Sequence, residues 1–135
     1  MFGVYDHTND RMFTHCYKHK KSDQFIDFIN RVDLVYDSNI KRIFVVLDNA
    51  SIHKSKKTRE ALTHHQRIVL VFIPTKSPKL NLIEVRWMWM QRKAIDNSTF
   101  SNESEIGQAI QGWTDNYNRT HSKRIIDTLQ IGLMI

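Results

Sequence analysis

Asp48 closes the apolar run "RIFVVLD", and Glu84 sits inside "NLIEVRWMWM", 36 positions later. Asp48 follows a run of strand formers, at the carboxyl end of a strand, where open α/β sheets bind ligands. The same position suits a cap for the next helix, with Asn49 and Ser51 as rival caps. Glu84 lies one position from Ile83 and three from Trp87. On a helix it therefore falls at the border of the apolar stripe, where a carboxylate reaches solvent or pairs with Arg86 or Arg92. Two carboxylates brought together repel unless one protonates or a cation binds between them. Oxygen ligands suit Mg²⁺ or Mn²⁺. Those ions carry phosphodiester chemistry, activating an attacking oxygen and stabilising a leaving one. Spacing alone leaves the cap, surface and metal readings open.

The elements that must position this pair follow from hydrophobic periodicity. Met1 to Asp6 and Arg11 to Tyr17 read as strands of a β-hairpin around His7-Thr8-Asn9-Asp10. Ser22 is placed to cap a helix whose apolar face is Phe25, Phe28, Ile29 and Val32. Ile43 to Leu47 and "RIVLVFIP" are continuous apolar strands, as in a parallel sheet covered on both faces. The basic helix "KSKKTREALTHH" between them completes a βαβ unit with a right-handed crossover. After the proline loop, Leu80, Ile83, Trp87, Met90 and Ala94 make a helical stripe, broken at Asn97 to Asn102. A last helix spans Glu103 to Tyr117, with Ile106, Ile110 and Trp113 on one side. The apolar tail "RIIDTLQIGLMI" packs on the domain or on a partner. The order predicts one α/β domain with a mixed sheet.

The net charge of +6 and pI near 9.6 favour polyanions, nucleic acid before membrane surface. The single Cys16 excludes an internal disulfide and a thiolate-cluster zinc site, which fits a reducing compartment. The longest apolar run, Ile68 to Ile73, is too short to span a bilayer, and the first residues lack a signal-peptide pattern. These features predict a cytoplasmic protein without a membrane partner.

Taken together, "VVLDNASIHKS" and "IPTKSPKLNLIEVRW" closely resemble the catalytic core of DDE-type transposases, in the mariner-like branch that includes many prokaryotic insertion sequences. In that family a strand ends in Asp-Asn-x-x-x-His, and Ser-Pro-x-Leu-Asn-x-Ile-Glu opens a helix with a following Trp. "FGVYDHTND" resembles its early Gly-x-x-Asp strand and turn. Leu82 stands where the family commonly has proline, which bears only on the start of the helix. The resemblance covers nearly the whole chain. It implies a ribonuclease-H-like mixed sheet flanked by helices, with Asp48 and Glu84 as catalytic ligands of Mg²⁺ or Mn²⁺. It implies a DNA substrate, cleaved by water and joined through a 3′ hydroxyl.

The family uses three acidic ligands, the first on a strand upstream of the segment resembled by "FGVYD". By that resemblance the chain lacks the first, central strand, and Asp6 is a weak replacement ligand. A missing central strand leaves two rows of backbone groups unpaired, each costing roughly 1–3 kcal/mol when buried. The gap is closed if the hairpin slides over, a second copy swaps a strand in, or another polypeptide donates one. The expectation is therefore a partial DDE catalytic domain over residues 1–135, without a helix-turn-helix region. It is the C-terminal part or split half of a transposase, partnered by the N-terminal part or a second copy, and weakly active or inactive alone. A rival reading is a non-catalytic nucleic-acid-binding or dimerising module that regulates such an enzyme. A third is a self-sufficient nuclease using Asp6.

Lys54, Lys56, Lys57 and Arg59 follow the Asp48 motif; Lys76, Lys79 and Arg86 flank Glu84. They form either a solvated basic face or a surface for DNA phosphates, which gives affinity without base specificity. His53, with Asn49 beside it, orients a phosphate or water or else closes the loop. Trp89, off the main stripe, is the aromatic placed to stack on a base.

Overall fold

A computed structural model describes residues 1–74, 82–121 and 130–134. The hairpin forms as β1 (Phe2–Asp6) and β2 (Arg11–His15), paired from Phe2 opposite His15 to Asp6 opposite Arg11. Its turn ends on Asp10 at φ 51°, a left-handed conformation that short polar side chains tolerate best. Asn9 closes the turn from inside, donating through its backbone N–H and Nδ2 to Asp6 at 3.0 and 2.7 Å.

Helix α1 (Ser22–Val35) buries the predicted face of Phe25, Phe28, Ile29 and Val32. Ser22 is not its N-cap. Lys21 holds that position, and the Ser22 hydroxyl donates weakly to the Ile52 carbonyl at 3.5 Å. Strands β3 (Arg42–Leu47) and β4 (Ile68–Phe72) are parallel, in register from Ile43 opposite Ile68 to Leu47 opposite Phe72. The basic segment between them forms two short helices, α2 (Ser51–Lys54) and α3 (Lys56–Leu62), instead of one. Ser55 divides them because its Oγ accepts from the Thr58 N–H at 3.1 Å and so caps α3.

Helix α4 (Ile83–Met90) runs on into a π-helical turn at Gln91–Ile95. Leu82 has φ −61°, the angle a proline ring imposes, so leucine there leaves the start of α4 unaltered. Helix α5 (Glu103–His121) extends past Tyr117 and buries Ile110, Thr114 and Tyr117. The loop at 75–81, with Lys76, Lys79 and Leu80, lies outside the described residues, as does 122–129 of the tail.

The sheet corrects one expectation. A fifth strand, β5 (Gln130–Met134), lies at its centre, giving the order β2-β1-β5-β3-β4. It pairs in parallel with β3 from Arg42 opposite Gln130 to Val46 opposite Met134. It also pairs antiparallel with β1 at Tyr5 and Asp6. The central position is filled by the chain's own tail. The physical reason is the one that made a gap costly: β1 and β3 are buried strands whose backbone groups need partners, and the apolar tail supplies them.

The result is an α/β fold with a mixed sheet covered on both faces. On one face Phe2, Val4, Ile43, Val45 and Leu47 pack against α1. On the other, Tyr5 and Met12 meet Ile83 of α4 and Tyr117 of α5, with Trp87 and Trp113 at the margin. Because Ile43, Val45 and Leu47 turn towards α1, strand alternation assigns position 48 to the face that α4 covers.

Candidate functional site

Asp48 follows the last residue of β3. Its Oδ1 accepts from the Ala50 N–H at 2.9 Å and lies 3.0 Å from His53 Nδ1. Ala50, not Asp48, is the N-cap of α2. The bond two residues on is an Asx turn that shapes the loop. Asp48 remains 63% exposed, and its Oδ2 has no partner among the described residues. Glu84, in the first turn of α4, is exposed. Among the described residues it pairs with neither Arg86 nor Arg92. Both carboxylates line one cleft of about 380 Å³, together with Gly3, Lys20, His53 and Trp87.

The second core fixes the helix that carries Glu84. Ile83 is 1% exposed beneath α4. One turn on, the Trp87 ring packs against Gly3, so close that a methyl group there would overlap ring carbons Cη2 and Cζ2. The Gly-x-x-Asp glycine and the Trp after Glu84 are thus two halves of one contact. Arg86 completes the anchor. Its guanidinium sits 3.9 Å from the Tyr5 ring centroid and donates to Tyr5 Oη at 2.7 Å. Tyr5 and Tyr117 in turn donate to Asp10 Oδ1 at 3.0 and 2.7 Å. Burial and the bond to Asp10 push the Tyr5 hydroxyl up to about 12, so it stays a neutral donor. Burial works against ionisation of Asp10, yet the bonds from Tyr117 and Tyr5 hold its carboxyl below the usual range. The structure therefore turns Arg86, expected on a DNA face, into the protein.

His53 is 5% exposed and packs against Phe25, with ring centroids 4.5 Å apart. Burial lowers its pKa against the opposing pull of Asp48, which favours the neutral ring. The contact with Asp48 assigns the proton to Nδ1, leaving Nε2 buried and without a partner among the described residues. Asn49 serves the scaffold. Its Nδ2 donates to the Ile73 carbonyl at 2.6 Å and its Oδ1 accepts from Lys54, tying the ends of β3 and β4 together.

Of the basic residues, Lys54, Lys56, Lys57 and Arg59 are all exposed. Lys56 lies 3.7 Å from Glu60, and Lys57 pairs with Asp23. Arg59 has no ion-pair partner among the described residues. Lys20, which the sequence reading passed over, lines the carboxylate cleft. Its only signal was the basic run around it, "KHKK". Asp6 does not join the pair. It is fully buried, its Oδ1 taken by the Asn9 N–H and its Oδ2 by Asn9 Nδ2 and by Tyr36 Oη at 2.8 Å. It stands level with Leu133 and Val45 in the ladders, so two strand spacings and three residues separate it from Asp48, roughly 14 Å between Cα atoms.

The donor set, two exposed carboxylates with free oxygens, fits a hard divalent cation. No group of three or more acidic, histidine or cysteine side chains gathers around a common point among the described residues. Asp48 and Glu84 are the residues that would hold such a cation, and two carboxylates alone would not complete its oxygen shell. No helix among the described residues is long and apolar enough to cross a membrane.

Comparison with known proteins identifies the family. The family model described as DDE superfamily endonuclease matches residues 1–107. The Shigella sonnei protein described as "Insertion element IS630 uncharacterized 39 kDa protein" is 32% identical over 68 residues, which make up 50% of this chain and 20% of that protein. The match to this relative thus spans a fifth of its length. With the family match covering most of its residues, including both cleft carboxylates, this chain belongs to the DDE superfamily endonucleases.

Proposed function

We propose that the chain is the catalytic-core portion of an insertion-sequence transposase with a ribonuclease-H-like fold, and that Asp48 and Glu84 share a Mg²⁺ or Mn²⁺ ion in contact with DNA phosphate. One observation carries the reading: two carboxylates 36 positions apart line the same cleft, each with at least one oxygen that no other described residue pairs. The bound ion would supply Lewis-acid activation of an oxygen nucleophile and charge neutralisation at the scissile phosphate. The residues of the chain hold and orient. His53 donates to Asp48 and keeps its carboxylate aimed, Trp87 and Arg86 seat α4, and Lys20 offers a cation to a phosphate at the cleft.

Two carboxylates make an incomplete ligand set for this family, and an acidic residue beyond the described ones would complete it. The isolated chain is then weakly active or inactive on DNA. Isothermal titration with Mn²⁺ tests the site. Weak binding is expected in the parent chain, falling at least about tenfold in Asp48→Ala and Glu84→Gln with the circular dichroism spectrum unchanged, since a charged-ligand contact of about 1.5–3 kcal/mol is lost. A parent chain that takes up no Mn²⁺ would sink the reading. Efficient cleavage of DNA by the purified chain with Mg²⁺ would sink its incompleteness. The low ligand count also favours a second reading, a non-catalytic DNA-binding regulator, which predicts salt-dependent DNA affinity with no metal binding.

A further inference from the structure

A second concavity, of about 550 Å³, lies between α2, α3 and strand β4. Its size is within the range of small-ligand pockets, roughly 300–1,000 Å³. Strand β4 is the edge of the sheet, and its last residues Val71 and Phe72 are 41% and 36% exposed. Leu62, Ile68 and Leu70 line the groove with Lys54 and Arg59, and no carboxylate among the described residues lines it. The Lys54 ammonium lies 4.7 Å from the centroid of the Phe72 ring. His53 lines this groove and the carboxylate cleft alike. His53 thus stands between the groove and the carboxylate cleft.

An exposed aromatic ring beside unopposed cations matches the chemistry of a single nucleic-acid strand, whose bases offer a flat apolar face and whose backbone offers negative charge. A base inside a duplex is stacked on its neighbours and cannot use the ring. Lys56 and Lys57, which do not line the groove, are each paired with a carboxylate instead.

We propose that the groove between α3 and the end of β4 holds an unpaired nucleotide of a single DNA strand, its base against Phe72 and its phosphate between Lys54 and Arg59. The inference rests on the DNA-processing reading above. It adds a subsite for a melted or displaced strand beside the cleft.

Fluorescence anisotropy with a labelled oligo-dT strand and with a hairpin duplex of equal length, both in EDTA, tests it. Phe72→Ala and the bulk-preserving Phe72→Leu are each expected to weaken the single strand about tenfold, within the roughly 5- to 150-fold that one base–aromatic stack is worth. Duplex affinity stays within about twofold of the parent, the phosphate contacts being unchanged. Phe72→Trp restores the single-strand affinity, and Arg59→Ala weakens it. Unchanged single-strand binding in Phe72→Leu, an equal loss on strand and duplex, or failure of Phe72→Trp to restore binding would overturn the proposal. So would a shift of Phe72→Leu to a smaller species on size exclusion, which would assign the edge to strand pairing between copies. The assay contains no divalent metal, so its failure is separate from failure of the Mn²⁺ titration.

Discussion

Replacing Gly3 by alanine is the sharpest perturbation of the site that leaves every charged group in place. Alanine in a strand interior ordinarily outperforms glycine by roughly 0.5–1 kcal/mol, because glycine surrenders more conformational freedom on folding. Here the sign reverses. The added methyl would overlap Cη2 and Cζ2 of Trp87 and stand 3.3 Å from the Phe13 carbonyl oxygen. Restoring carbon–carbon contacts to ordinary separations requires the indole, and α4 with it, to withdraw by on the order of 1 Å. Overpacking of this kind costs about 1–3 kcal/mol, which exceeds the glycine benefit and leaves a net loss of about 0.5–2 kcal/mol. Glu84 lies one turn before Trp87, so its carboxylate moves with the helix. Metal–oxygen distances tolerate only about 0.2 Å of error. Gly3→Ala should therefore lower the urea midpoint and weaken Mn²⁺ binding together. Trp87→Leu in the same chain should return part of the stability by vacating the space. A Gly3→Ala protein as stable as the parent, with unchanged Mn²⁺ affinity, would refute the claim that the Gly3–Trp87 contact sets the distance between the two carboxylates.

Ending the chain after residue 129 removes β5 and exposes the facing rows of β1 and β3. At roughly 1–3 kcal/mol per buried unpaired group, a few such groups match a whole domain stability of about 5–15 kcal/mol. The shortened chain should lose its cooperative thermal transition by circular dichroism, and a sharp melt within a few degrees of the parent would contradict the central role of β5. Asp10 gives a pH signature. Its folded pKa lies below the ordinary carboxylate value, so its stabilising contribution is complete above that ordinary value and is lost as pH falls through the folded value. Asp10→Asn keeps the left-handed turn but removes this charge. The variant should be less stable than the parent at pH 7, with the gap closing towards pH 2. A gap independent of pH in urea unfolding would show that the tyrosine–carboxylate bonds do not depend on charge.

Periodicity along the chain was enough to locate α1, the β3 and β4 strands, the hairpin and the stripe of α4, because each buries a face through spacing that local sequence sets. The family match, too, rests on short contiguous motifs around Asp48 and Glu84. Other features were hidden. The division of the basic segment into α2 and α3 turns on one hydroxyl, Ser55, choosing the Thr58 N–H. Arg86 reads as a surface cation until Tyr5, 81 positions away, is seen to accept its guanidinium. The groove at Phe72 exists only because β4 is the sheet's edge.

The amino-acid order by itself determined the hairpin, α1, β3, β4 and the stripe of α4, and which two carboxylates are candidates, since these follow from residue type and near-neighbour spacing. Only the tertiary structure decided that the tail occupies the centre of the sheet, that Asp6 is spent on Asn9 and Tyr36, and that Lys20 joins the cleft. Those outcomes depend on long-range pairing, where backbone groups and buried charges take whichever partner the packed chain brings within reach, and no local pattern encodes that choice.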